Sequence, residues 1–266
     1  MSHVESRDGT TIAYERTGDG PAVVLVGGGL DDGAENAPLA AELSGRFTVY
    51  NYARRGRAGS GDTPPYALER ETEDLAALIG AAGGTAHVYG VSTGGALVLE
   101  AAAAGVTGMD RIGVYEVPYS LAEQWPRQWR EYVAAVRGLL ADGRRDDALV
   151  CFMRLAGSPE EEIEAARNSP YWPGMVALAH TLAYDAACLG DGRPPRDRLA
   201  VITRPALVIT GGVHPPGSPD WMLALAGAAD AIAECVPHAR RVRLEGQTHV
   251  ADPKVIAPLL TEFFTA

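Results

Sequence analysis

Cysteine is scarce in this chain. Its 266 residues hold three, Cys151, Cys188 and Cys235, an odd count with no C-x-x-C pair. That argues against a disulfide framework and a zinc knuckle, and leaves reduced thiols as the expectation. Lysine is scarcer still, with Lys254 alone, and the formal net charge is −11. Nucleic acids and anionic membranes call for clustered positive charge, so neither is an expected partner. The Arg144-Arg145 and Arg240-Arg241 pairs are short and far apart, and read as solvated faces. No apolar run approaches the roughly 20 residues that span a bilayer. Met1–Asp8 is polar and has no signal-peptide core, so a cytoplasmic location is expected.

Hydrophobic residues make up 47% of the chain, enough for a full core in one large domain or a domain carrying an insertion. Strands are predicted at Thr10–Glu15, Ala22–Gly27, Phe47–Tyr52, Ala86–Val91, Arg111–Glu116, Ala206–Thr210 and Arg241–Leu244. Helices are predicted at Pro38–Leu43, Leu68–Gly80, Trp221–Cys235 and Lys254–Phe264. This alternation implies a mainly parallel sheet covered on both faces. From Val117 to Leu199 the alternation stops. That stretch reads as helices at Gln128–Leu140, Asp146–Leu155, Pro159–Arg167 and Met175–Cys188, and carries Trp125, Trp129 and Trp172, three of the four tryptophans. A core at 1–116 and 200–266 with a helical cap at 117–199 is the expected organisation.

The most informative stretch is Gly90-Val91-Ser92-Thr93-Gly94. It follows a β-branched and aromatic run and precedes a helix-forming one, the strand–turn–helix setting in which a serine becomes a nucleophile. Glycines flank a turn too tight for side chains and put the Ser92 hydroxyl at its tip. A serine hydroxyl needs a base. His249, in a loop after a strand and before Pro253, suits that role because imidazole titrates near neutral pH.

These residues resemble the α/β-hydrolase family over the span from about Gly20 to the C-terminus. Val23–Gly29 looks like the strand and glycine turn that supply one oxyanion donor, Gly90–Gly94 like the nucleophile elbow, and Leu244–His249 like the strand end and loop of the catalytic base. Tyr52–Ser60 resembles the family's arginine–glycine loop, with Ala53 where an aspartate is frequent. Gly27-Gly28 replaces the His-Gly pair that often precedes the donor. The resemblance implies the α/β-hydrolase fold, Ser92 as nucleophile, His249 as base, and an oxyanion hole from the Gly29 and Thr93 amides.

The acid departs from the common pattern. The family's usual aspartate follows the strand Ala206–Thr210, but His214 occupies that slot, and a histidine does not orient a second imidazole as a carboxylate does. Glu116, at the tip of the preceding strand, is the expected acid; Asp220, read as a helix N-cap, is the alternative, and the absence of any acid a third reading. Trp125, Trp129, Tyr171, Trp172 and His214 are candidate substrate contacts. Asp31, Asp32, Glu35 and Asn36 are read as a solvated loop at the pocket mouth.

The expected activity is cofactor-independent hydrolysis of an ester, thioester or related acyl bond in a small or medium hydrophobic substrate, through an acyl-enzyme. A lyase or cyclase on the same scaffold, and a ligand-binding protein without chemistry, are the alternatives. A small-molecule substrate is the expected partner, and a homodimer is compatible with the sequence. No metal or cofactor is expected, since Gly27-Gly28-Gly29 lacks dinucleotide spacing.

Overall fold

The computed structural model describes residues 1–214 and 217–266. Pro215 and Pro216, in the loop that carries His214, lie outside the described residues. Eight strands form one sheet: β1 (Ser2–Glu5), β2 (Thr11–Thr17), β3 (Ala22–Val26), β4 (Thr48–Tyr52), β5 (Ala86–Val91), β6 (Met109–Tyr115), β7 (Ala206–Gly211) and β8 (Ala239–Leu244). Their order is β1-β2-β4-β3-β5-β6-β7-β8. β2 runs antiparallel to β1 and β4, and every other pairing is parallel.

β5 is buried along its whole length and β3 from Val23 onward, as apolar runs require when helices cover both faces. On one face, α1 (Ala37–Leu43) and α12 (Pro253–Thr265) pack Leu39, Leu43, Ile256, Leu260 and Phe264 against Val23, Leu25 and Tyr89. On the other, α2 (Leu68–Ala81), α3 (Thr93–Ala103) and α11 (Leu225–Cys235) pack against Val24, Val26 and Val88. The sheet faces are therefore sorted by the pleat: odd positions of β3 serve one core and even positions the other.

Between β6 and β7 stand α4 (Trp125–Ala141), α5 (Arg145–Leu155), α6 (Glu160–Arg167), α7 (Trp172–Leu178), a 3-10 turn (Ala179–Thr181), α8 (Leu182–Leu189) and α9 (Arg196–Leu199). None of the described residues there is a strand, in keeping with the helical reading. The single helix predicted over Met175–Cys188 is broken by the 3-10 turn. The one predicted over Trp221–Cys235 divides at Ala224 into α10 (Asp220–Leu223) and α11. Strand β1 falls in the stretch read as a polar terminus. Its residues are mostly exposed at the sheet edge, so no apolar alternation marks it. Among the described residues no helix is long and apolar enough to cross a membrane.

The loop after β4 is drawn into the interior by its arginines. Arg54, Arg55 and Arg57 are all buried. Arg55 donates from Nε and Nη2 to both oxygens of Asp74 on α2, at 2.7 Å each, and from Nη1 to Asp8. This fork-to-fork geometry fixes the course of the loop that follows β4.

Candidate active site

Ser92 stands between the end of β5 and the first residue of α3. Its φ of +53° and ψ of −125° lie in a region that costs a non-glycine residue about 1–3 kcal/mol. Neighbours compel it. The Ser92 N–H donates to Tyr115 O at 2.8 Å, and its carbonyl accepts from Gly95 N at 2.9 Å. The turn closes only because its flanks lack side chains. A Cβ on Gly90 would come 2.5 Å from Gly94 O, and one on Gly94 would come 2.4 Å from Gly27 O. The Gly-x-Ser-x-Gly pattern is thus a packing requirement, and its result is a hydroxyl held at a helix N-terminus.

Glu116 immediately follows β6, with φ of +53° and almost no exposed surface. Its N–H donates to Ile209 O at 3.0 Å. Its Oε1 accepts from Gly211 N at 2.7 Å, and its Oε2 lies 3.2 Å from His249 Nδ1. One oxygen is therefore pinned to the adjacent strand while the other holds the imidazole, leaving Nε2 as the ring's other nitrogen. The histidine loop is itself anchored. Tyr115 donates its hydroxyl to Thr248 O, and Gln247 O accepts from the N–H groups of Gly212 and Val213 at 2.9 Å. Asp220 occupies the first position of α10, after the cap position taken by Pro219, and is exposed. The carboxylate on His249 is Glu116.

Ser92, Thr93, Gly28, Gly29 and His249 line one cavity of about 210 Å³. Its remaining wall comes largely from the helices between β6 and β7, including Trp125, Trp129, Tyr132, Phe152, Leu182 and Asp185. Trp125 and Trp129 lie on the wall, their rings stacked with centroids 5.7 Å apart and their indole N–H groups bonded to Gly192 O and Gly190 O. Tyr171, Trp172 and His214 stand outside this cavity. Tyr171 is exposed and lines a broader depression of about 680 Å³ that shares Gly29 and Glu35 with the first. Trp172 is buried against α5, with its N–H on Asp146. His214 is half-buried in the loop after β7.

The loop read as solvated, Asp31–Asn36, is partly interior: Asp31 and Asn36 are buried. Glu35 is exposed yet borders the cavity, and a Cβ on Gly28 would stand 3.8 Å from its Oε2. Desolvation, then the Asp31 carboxylate, raise the Glu35 carboxyl above its ordinary pKa. Trp221 and Asp185 are among the wall residues that escaped the sequence reading. Trp221 meets the His249 ring edge-on at 6.2 Å and donates its N–H to Leu155 O. Asp185 is a buried carboxylate on α8. A lone acid in the apolar run Leu182–Leu189 was the available signal, because a buried carboxylate needs a partner.

Comparisons with known proteins identify the family. The model of the alpha/beta hydrolase family matches residues 22–259. The chain belongs to the alpha/beta hydrolase family. An alpha/beta hydrolase from Sphaerobacter thermophilus DSM 20745 is 47% identical, with 99% of this chain and 100% of that one covered and a TM-score of 0.86. A hydrolase from Pseudomonas aeruginosa PA01 is 25% identical over 100% and 98% of the two chains, with a TM-score of 0.74. The enol-lactonase from Burkholderia xenovorans LB400 shares the fold at 22% identity, with full coverage of both chains and a TM-score of 0.69. Comparison with curated proteins gives no match.

Proposed function

We propose that this protein is a serine hydrolase that cleaves an ester, thioester or related acyl bond of a small or medium hydrophobic substrate by way of an acyl-enzyme. The observation that carries the reading is the His249 imidazole held by buried Glu116 on the cavity that Ser92 also lines. Esterases and an enol-lactonase among proteins of the same fold are consistent with acyl chemistry.

In the proposed reaction Ser92 Oγ attacks the substrate carbonyl while His249 Nε2 takes its proton. Glu116 keeps the imidazole in the tautomer that can accept at Nε2 and stabilises the imidazolium that results. The carbonyl π electrons move onto oxygen, and the Gly29 and Thr93 N–H groups receive that charge. Each such donor contributes about 2.7–4 kcal/mol in comparable sites. The intermediate collapses, the C–O or C–S bond to the leaving group breaks, and His249 returns the proton to that group. Water, losing a proton to His249, then attacks the acyl-serine and frees the acid and the serine hydroxyl. The helices between β6 and β7 act as a cap that keeps this step in an apolar enclosure. Its aromatic wall and modest volume favour small to medium acyl chains.

The test is labelling with a fluorophosphonate probe, read by intact mass and peptide mapping, with Ser92→Ala as control. A single adduct on Ser92 is expected. A folded protein that takes no adduct, or takes one elsewhere, would overturn the proposal in favour of non-hydrolytic chemistry or ligand binding.

A further inference from the structure

We propose that Arg57 and Asp185 are positioning residues that set both donors of the oxyanion hole, so that a residue of the inserted helices completes the site. This inference rests on the serine hydrolase reading. Arg57 Nη1 donates to the carbonyls of Gly28 and Asp31, gripping the glycine turn. In a trans peptide the carbonyl and the following N–H point to opposite sides. Holding the Gly28 carbonyl toward Arg57 therefore turns the Gly29 N–H away from the guanidinium. The turn itself abuts the nucleophile, since a Cβ on Gly28 would stand 3.2 Å from Ser92 Cβ.

The second donor is tied to the same point. Arg57 Nη2 donates to Asp185 Oδ1 at 2.7 Å, and the Thr93 hydroxyl donates to that same oxygen at 2.8 Å. Thr93 is the first residue of α3, so fixing its side chain fixes the backbone whose N–H faces the oxyanion. Arg54 Nη1 adds a third bond to Asp185 Oδ1 at 2.7 Å, and its other nitrogens bind Glu71 at 2.7 Å. A Cβ on Gly29 would lie 3.4 Å from Asp185 Oδ2, so the carboxylate packs directly on the turn. One oxygen of a residue on α8 thus links the loop after β4, the turn after β3 and the start of α3.

The charges are arranged for the same purpose. Arg54 and Arg57 balance Glu71 and Asp185, all four of them buried. An unbalanced carboxylate here would oppose an oxyanion. Burial disfavours the charged Asp185, but the Arg57 and Arg54 guanidiniums outweigh it and hold its carboxyl below the usual carboxylate range. Cys188 beside them is pushed up to about 12, chiefly by burial, and stays a neutral thiol.

The test compares wild type with Arg57→Lys, Arg57→Gln, Asp185→Asn and Asp185→Ala. Four quantities are read: kcat and KM on a 4-nitrophenyl ester, affinity for an aryl trifluoromethyl ketone, and affinity for the matching methyl ketone. The trifluoromethyl ketone forms a tetrahedral oxyanion on serine, and the methyl ketone reports ground-state binding. Disturbing a donor without deleting it is expected to lower kcat by about 10- to 100-fold, below the 10²–10³ cost of losing one outright. KM and methyl ketone affinity should move by less than about threefold, and trifluoromethyl ketone affinity should fall in step with kcat/KM. Asp185→Asn, which keeps an acceptor at the same place, should lose less than Asp185→Ala. Arg57→Lys and Asp185→Asn preserve charge or shape and carry the test if the other two variants do not fold. Variants that bind both ketones as wild type does, or that lose affinity for both equally, would overturn the inference while Ser92 labelling stands. A wild-type protein in which Ser92 takes neither fluorophosphonate nor trifluoromethyl ketone would overturn both readings.

Discussion

On one side of Ser92 a buried carboxylate, Glu116, holds a histidine; on the other a buried carboxylate, Asp185, holds two arginines. Both carboxylates are almost free of solvent, yet their surroundings differ in kind. Glu116 meets a backbone N–H and an imidazole, and the residue carrying that imidazole, His249, keeps about a quarter of its side chain exposed. Asp185 has guanidiniums that never deprotonate and a hydroxyl, all buried. In the proposed reaction the first arrangement passes a proton through the imidazole. The second cannot, and so serves as a fixed frame. The contrast teaches that burial alone does not sort two carboxylates by role; the chemistry of the partner, an imidazole or a guanidinium, separates them.

The largest expected effect breaks the titrating side. Glu116→Gln should lower kcat/KM on an activated ester by about 10³–10⁴-fold, because the amide stabilises the wrong imidazole tautomer. Asp220→Asn, exposed at the start of α10, should stay within about twofold in the same assay. Next comes the wall that both sides share. Trp129→Ala removes a buried indole and should cost about 3–5 kcal/mol in urea unfolding, with a raised KM in whatever folded protein remains.

A pH series sharpens the comparison on the fixed side. The Asp185 and Glu71 carboxyls sit below the ordinary range in the folded protein: burial opposes their charge, but Arg57 and Arg54 outweigh it for Asp185, and Arg54 for Glu71. The unfolded chain therefore takes up their protons first. Their contribution is fully present above the unfolded carboxylate pKa of about 4 and is lost as pH falls below it. Desolvated Glu35 and Asp31, raised in the fold, act in the opposite sense. Thermal melts between pH 7 and 3 should show a smaller acid loss in Asp185→Asn than in wild type. The smallest effect is expected at Tyr171→Ala, whose exposed ring should leave stability within about 0.5 kcal/mol by the same melts.

What could be read from the chain follows the range of the interactions. Ser92 was legible because its constraints are local: two glycines, a strand before and a helix after. Glu116 was legible as a candidate because it stands at the end of a predicted strand, but choosing it over Asp220 needed the distance to His249, which spans 133 positions in sequence. Asp185 was not legible as part of the site, since its partners Arg54, Arg57 and Thr93 lie about a hundred residues away and only the tertiary fold gathers them. Strand β1 hid behind its exposed edge. The aromatic residues divided by depth: Trp125 and Trp129 reach the cavity, whereas Trp172 spends its ring on the packing of α5 and α7. Periodicity gives a residue's helix face but not which neighbour that face meets.

The central claim is that Ser92, His249 and Glu116 act as one unit, and the rate of Ser92 phosphonylation tests it most directly. That rate would be measured in wild type, His249→Ala, Glu116→Gln and the double variant. If the three act together, the double variant reacts about as slowly as His249→Ala alone, because the carboxylate works only through the imidazole. Losses that multiply in the double variant, or a Glu116→Gln protein that reacts at the wild-type rate, would contradict the account.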